Sequence, residues 1–187
     1  MLILEKLHLK RIGTLIVPSR RYEIIGIEGD GIAILRRDDG FTKIVWGHNI
    51  VTNEGDKYYA QKACGESPTN NFNSCYLATA GPATPAKTDD YDDFTVVSGS
   101  EKAVSSGYPK TNDDDSDNTG AGVDIVTWKF FYAASDGPFT SITHSFISVA
   151  SAGSGSPILN SYKWSSSWDK DSSTTCTIFF NHEMSGQ

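Results

Sequence analysis

The sequence contains little cysteine and no pattern that would pair it. Three cysteines stand at positions 64, 75 and 176 of a 187-residue chain. Their number is odd, there is no CxxC motif, and no histidine accompanies them at zinc-ligand spacing, which argues against a disulfide framework and against a zinc site. We therefore expect small buried thiols in a reducing compartment.

Long apolar runs are also missing. The first ten residues, MLILEKLHLK, carry charges at Glu5, Lys6 and Lys10, so their apolar run is too short for the core of a signal peptide. No stretch approaches the roughly 20 apolar residues that span a bilayer. The sequence thus predicts a protein that is made in the cytoplasm and has no membrane partner.

An excess of positive charge is absent as well. The formal net charge is −7, which is the sign opposite to that of most nucleic-acid-binding proteins and disfavours an anionic membrane surface. The average conceals an asymmetry: residues 1–47 hold eight bases and six acids, whereas the rest of the chain has a net charge of −9. All five arginines lie at or before Arg37. We expect no nucleic-acid partner and a basic N-terminal region.

The chain does contain many short β-rich segments. Tyr22–Ile27 and Ile32–Leu35 are separated by Glu-Gly-Asp-Gly, which predicts a hairpin, and Asp38–Gly40 predicts the next turn. Val123–Tyr132 is the strongest strand candidate, and its nearly continuous apolar end indicates burial on both faces. Further strands are predicted at Phe41–Trp46, Phe72–Thr79, Phe94–Val97, Phe139–Val149, Ile158–Trp164 and Thr174–Phe180.

One helix is predicted, over residues 52–65. Thr52 or Asn53 can cap it, Glu54 suits the positive end of the helix dipole, and Gly65 stands where helices commonly end.

The order of these segments predicts the fold class. Strands joined by loops, without helical crossovers, are typical of an antiparallel β-sandwich. We expect a mainly β protein: a sandwich with one short helix and an N-terminal β-hairpin extension. The predicted organisation is a basic docking region at 1–47 and a sandwich module at 48–187, with a polar, acidic loop at 105–122 that should be mobile.

The acidic loop is the stretch most like a metal site. Asp113, Asp115 and Asp117 fall at positions 1, 3 and 5 of a calcium loop, and Asp124 falls at position 12. Position 6 is Asn118 where such loops have glycine, and no helices flank the segment. We therefore predict a solvated acidic loop and no metal.

Catalytic arrangements are not apparent. Four aspartates at positions 89, 90, 92 and 93 share one loop, where nothing raises the pKa of one of them, so they make a poor acid–base pair. His144 and Ser145 are sequence neighbours and would point to opposite faces of a strand. There is neither a nucleophile elbow nor a glycine-rich phosphate loop. We expect no catalytic residues and no cofactor.

Three aromatic residues suggest a binding face. Tyr162, Trp164 and Trp168 occupy alternate positions and should line one face of an extended segment. If that face is exposed, the rings could stack on sugars; the alternative is that they pack in the core or in a subunit interface.

Four phrases, in order, resemble a module of structural proteins from tailed bacteriophages. They are NIVTNEG at Asn49–Gly55, YLATAGPATPAKTD at Tyr76–Asp89, SITHSFI at Ser141–Ile147, and an ending made of ILNSYKW at Ile158–Trp164 and KDSSTTCTI at Lys170–Ile178. The resemblance covers about three quarters of the chain. His144-Ser145 stands where the module usually has an acidic and a small residue, and the acidic loop is an insertion.

The resemblance implies a β-rich, non-enzymatic component of the virion. A compact chain without a coiled coil suits a capsid decoration, collar or tail-attachment protein, present as a homo-oligomer on the particle and bound to other virion proteins. Charge segregation suggests that Arg20, Arg21, Arg36 and Arg37 dock on those subunits, because arginine pairs bidentately with carboxylates. The alternative is a carbohydrate-binding receptor-recognition module that uses the three aromatic residues.

Overall fold

The computed structural model of the protein describes residues 9–12, 15–18 and 28–184 and is mainly β. A single α-helix, α1 (Asn53–Ala63), and one turn of 3₁₀ helix at Tyr91–Asp93 occur among the described residues. The strands are β1 (Leu9–Ile12), β2 (Leu15–Pro18), β3 (Glu28–Arg37), β4 (Thr42–Val51), β5 (Phe72–Ala80), β6 (Thr95–Val96), β7 (Lys102–Ala103), β8 (Lys110–Thr111), β9 (Ile125–Tyr132), β10 (Phe139–Val149), β11 (Ile158–Lys170) and β12 (Thr174–Glu183).

Ten of the strands form one antiparallel sheet. Their order is β6-β5-β10-β11-β4-β3-β12-β9-β8, with β7 added beside β5, while among the described residues β1 and β2 form a separate two-stranded sheet. Backbone bonds from Val104 to Asn73 and from Ser105 to Lys129 join the β5 side of the sheet to β9. The sheet therefore curls so that its two ends approach, which confirms the predicted mainly β, antiparallel fold with one helix and is consistent with a sandwich.

The inner face of the curled sheet carries the main core. Alternate residues of β12 and β9 point inward, and the largest side chains there are aromatic. The Tyr132 hydroxyl, for example, donates to the Ser100 carbonyl at 3.0 Å, so its polar end is satisfied inside the core. The fully buried members on these two strands are Trp128, Phe130, Tyr132, Cys176, Ile178 and Phe180.

The outer face is apolar as well and is covered by loops. Phe146 of β10 stacks on Tyr76 and contacts Phe94, which follows the connection at residues 81–93. Ile32, Ile34 and Phe179 form a second outer cluster. Burial on both faces explains why the strands read as nearly continuous apolar runs.

The predicted hairpin at residues 28–31 is wrong. Glu28–Arg37 is one continuous strand that pairs with β4 on one side and β12 on the other. Its glycines serve close packing, because a Cβ on Gly31 would lie 2.6 Å from the Tyr162 ring. The Tyr22–Ile27 half of that prediction lies outside the described residues. The turn predicted at residues 38–40 is confirmed, with Gly40 at φ +88°.

The boundary predicted at residue 47 is corrected by the same pairing. It falls inside β4, and both β3 and β4 lie in the middle of the ten-stranded sheet. Residues 28–47 are therefore part of the sandwich. Both β3 and β4 have a hydrogen-bonded strand on each side, as central strands of a sheet do.

The helix begins where the sequence indicates. Thr52 is its N-cap, and the Thr52 hydroxyl accepts a hydrogen bond from the Gly55 amide at 3.1 Å. Gly65 follows the end of the helix with φ +72°. A Cβ on Gly55 would collide with the Leu159 carbonyl, so glycine at this position lets α1 lie close against β11.

Candidate interaction surface

Three large apolar side chains, two in β4 and one directly before it, face solvent. Phe41, Ile44 and Trp46, here called the β4 strip, are 46%, 49% and 43% exposed. Ile44 lies opposite Ile34 and Trp46 opposite Ile32 on the neighbouring strand, and both of those isoleucines are buried. The β4 strip is thus an open part of the outer apolar face, as is Phe131 of β9, which is 44% exposed. Exposed apolar patches of this kind mark contact surfaces in soluble proteins.

The acidic loop covers the other part of that face. Asp115 pairs with Lys129 of β9 at 2.5 Å, and Asp117 forms a bidentate pair with Arg36 of β3 at 2.6 and 2.7 Å. The Lys129 ammonium also lies 5.4 Å from the centre of the Phe179 ring. Since β12 lies between β9 and β3, these pairs hold the loop over the outer side of β12, where Phe179 is fully buried.

A buried polar cluster anchors the loop at its centre. The Asn118 amide exchanges two hydrogen bonds with the Asn181 amide, at 3.0 and 2.9 Å, and also donates to Thr127 of β9. Asp113 accepts from Tyr108 at 2.9 Å and from Asn118 at 3.0 Å. The prediction of a mobile, solvated loop is wrong, because its acids and amides are bound to the sheet and to one another.

The electrostatics of this cluster favour an ionised Asp113. Burial acts to raise the pKa of that carboxyl, but hydrogen bonds from Asn118, Lys110 and Tyr108 outweigh the burial and lower the pKa to about 2. The side chain of Lys110 lies 2.9 Å from Asp113. The three aspartates at calcium-like positions are thus each paired with a base, and among the described residues no group of three or more His, Cys, Asp or Glu side chains could hold a metal ion.

The predicted docking arginines separate into two groups. Arg20 and Arg21 lie outside the described residues. Arg36 is engaged with Asp117, and that hydrogen bond raises the pKa of its guanidinium. Arg37 stacks over the Phe41 ring at 4.4 Å, lies 3.5 Å from Asp39, and its Nε atom has no hydrogen-bond partner. The structure therefore brings Arg37, and not Arg36, to the β4 strip, where its guanidinium lies over the Phe41 ring.

The aromatic binding face predicted for Tyr162, Trp164 and Trp168 is wrong. The three side chains do share a face, but it is the inner one, and they are 0%, 3% and 1% exposed. Tyr162 and Trp164 meet edge to face at 4.4 Å, and Trp164 meets Trp168 at 5.8 Å. Alternation along a strand predicts which residues share a face; it does not show which face is covered.

The other residues singled out in the sequence have structural roles. His144 Nε2 lies 3.0 Å from the Pro82 carbonyl, and burial lowers the pKa of this histidine. Asp90 caps the short 3₁₀ helix. In the phrase KDSSTT, Asp171 accepts from the amide of Ser173 and the hydroxyl of Thr174, which shapes the turn between β11 and β12. The β4 strip was missed by sequence reasoning, although the alternation of Ile44 and Trp46 with Lys43 and Val45 carried a signal.

Comparison with known proteins does not assign the chain to a family. No family model, no curated protein and no solved structure matches the chain. Within the described part of the chain, no helix is long and apolar enough to span a membrane.

Proposed function

We propose that this protein is a non-enzymatic structural subunit of a tailed-phage virion, of the capsid decoration, collar or tail-attachment type. In this proposal it docks on other virion proteins through the β4 strip and Arg37, as a homo-oligomer on the particle. The observation that carries the docking part is the exposure of three large apolar side chains beside the Arg37 guanidinium, which lies over the Phe41 ring.

The phrases that resemble the phage module fit this proposal. Asn49–Gly55 contains the helix cap, and Lys170–Ile178 contains the Asp171 turn, so the residues that carry the resemblance build the fold and leave the surface free to differ. A module of that kind suits a scaffold whose binding surface lies elsewhere. The virion assignment rests on this resemblance and on the antiparallel fold.

The chemistry of the β4 strip defines the partner surface. A side chain such as Trp46 at an interface contributes large contact area, and Arg37 can pair bidentately with a carboxylate. We therefore expect the partner to present an apolar groove with an acidic residue at its edge. The proposed docking element thus contains only one of the four arginines predicted from the sequence, Arg37, together with the apolar residues of the β4 strip.

Incorporation into particles tests the proposal. Trp46→Glu should abolish incorporation, because it places a charge in the apolar contact, while the free subunit keeps its melting temperature. Val123→Glu is the matched control: Val123 is 78% exposed and lies outside the strip, so this variant should be incorporated normally. If the Trp46→Glu variant is present on particles at normal copy number, the interface does not lie at β4. If the wild-type protein is absent from purified particles, the virion assignment is refuted.

The three aromatic residues that the carbohydrate-binding alternative would use are buried. Tyr162, Trp164 and Trp168 are in the core, where no sugar ring can reach them without unfolding the sandwich. We do not extend it to other residues.

A further inference from the structure

A row of polar and small residues crosses the inner face of the sheet. In register across five neighbouring strands, Ser145 lies opposite Tyr162, Tyr162 opposite Asn49, Asn49 opposite Gly29, and Gly29 opposite His182. These residues share their face with core residues two positions away on the same strands, such as Ile147 and Phe180. The row therefore places hydrogen-bonding groups inside an otherwise apolar core.

Five buried polar atoms in and beside this row have no hydrogen-bond partner among the residues that the structure describes. They belong to Ser145 (Oγ), Asn49 (Oδ1 and Nδ2), His182 (Nε2) and Asn160 (Nδ2), the last being two residues from Tyr162 on β11. Asn49 is 6% exposed, and the other three residues are fully buried. Native proteins satisfy nearly all such groups, with protein atoms or with ordered water, so five in one region indicate a ligand site.

The hydrogen bonds around His182 favour one protonation state of its ring. The Trp128 indole N–H donates to the Tyr59 hydroxyl at 2.8 Å, and the hydroxyl has its single hydrogen left for His182 Nδ1, 2.6 Å away. Burial lowers the pKa of His182 to about 3, so the ring is neutral. A neutral ring that accepts at Nδ1 carries its proton on Nε2, and this assignment follows from the hydrogen-bond network. The Nε2–H group thus needs an acceptor.

Glycine occupies the strand between the Asn49 and His182 positions. A Cβ at Gly29 would lie 2.5 Å from Asn49 Oδ1, so the Asn49 amide lies over the glycine, on the side of β12. The Tyr162 ring lies further along the strands, where its hydroxyl donates to the Gly31 carbonyl at 2.6 Å. The absence of a side chain at Gly29 thus lets the Asn49 amide approach the strand that carries His182.

We infer that the inner polar row binds ordered water, with one molecule bridging His182 Nε2–H and the Asn49 amide and further water reaching Ser145 and Asn160. Water suits this set because each molecule both accepts and donates, which the mixture of donors and acceptors requires. The row itself carries no ionised side chain among these described residues, so a charged ligand would find no counter-charge there. The bridge would connect α1, through Tyr59 and His182, to β4.

Water–protein NMR on the intact chain tests the inference. Wild-type protein should show cross-relaxation between long-lived water and both the Nε2 proton of His182 and the side-chain amide of Asn49. Ser145→Ala should remove about one ordered water and leave the His182 signal in place, whereas Asn49→Leu should abolish the His182 signal. Ser161→Ala is the control, because the Ser161 hydroxyl is also buried and unpartnered but lies beside Phe146 on the outer face.

Two results would overturn the inference. One is a through-hydrogen-bond coupling between His182 Nε2 and the Asn49 side chain, which would show that the two groups pair directly. The other is loss of the same water signals in Ser161→Ala as in Ser145→Ala, which would place the water on the outer face. If Asn49→Leu does not fold, the wild-type spectrum and the two serine variants decide the question by themselves.

Discussion

Replacing Asn118 by alanine should destabilise the protein far more than its position in an acidic loop would suggest. The Asn118 amide is at the centre of this cluster: the two hydrogens of its Nδ2 group are shared among Asp113, Thr127 and Asn181, and its oxygen accepts from Gly120 and Asn181. The substitution leaves the Nδ2 group of Asn181 without its acceptor and removes one donor from an ionised Asp113, while the Asn181 oxygen keeps the Thr127 hydroxyl. A buried polar group left unsatisfied costs about 1–3 kcal/mol.

The expected loss is about 3 kcal/mol, since two buried groups are left short of partners. For a chain of 150–250 residues each kcal/mol shifts the melting temperature by about 2–4 °C, so the midpoint should fall by about 6–12 °C. Urea denaturation and thermal melting of the free subunit measure both quantities. The control is Asp114→Ala in the same loop, whose side chain is 91% exposed.

A mobile loop would give a different result. Asn118→Ala and Asp114→Ala would then both stay within about 0.5 kcal/mol of the wild type, as surface substitutions usually do. That outcome would refute the reasoning from the buried cluster and restore the sequence-based prediction of a mobile, solvated acidic loop.

Two further predictions concern acid and close packing. Because the folded pKa of Asp113 is about 2 against a usual value of 3.8, its ionised form stabilises the fold above pH 4, and this contribution should be lost as the pH falls from about 4 to 2. Melting temperatures across this range should fall less steeply in Asp113→Asn than in the wild type, and equal slopes would contradict the assignment. Gly31→Ala should cost about 1–3 kcal/mol in urea denaturation, because the new methyl group meets the Tyr162 ring at 2.6 Å. Gly153→Ala is its control, since nothing lies within 4 Å of that position, and equal stability of the two variants would refute the packing argument.

The features that sequence analysis predicted correctly depend on neighbours in sequence. The cap at Thr52 is completed three residues later by Gly55, and the turn at Gly40 requires one residue with positive φ. Such signals lie within one short window, and a single chain carries them in full.

The features that were missed depend on distant partners. Gly29 and Gly31 read as turn residues, yet they are required by side chains of Asn49 and Tyr162, which are 20 and 131 residues away. Asp117 reads as solvated because its partner, Arg36, is 81 residues distant. Whether the strand face that carries Tyr162 becomes the inner or the outer face depends on which strands pair with β11. Hydrophobic alternation along one strand does not specify that pairing.

The position of β12 in the sheet has a consequence for biosynthesis. This strand comes last among the described residues, yet it lies between β3 and β9 and pairs with residues as far back as Glu28. β3 exposes an edge once residue 37 has been translated, and β9 does so once residue 132 has been translated, because their shared native neighbour, β12, is made only from residue 174 onward. Pairings over such a separation form slowly, and unpaired edges can bind other chains. The nascent chain therefore needs protection from self-association until residue 183 has left the exit tunnel, which makes the cell's chaperone supply a determinant of yield.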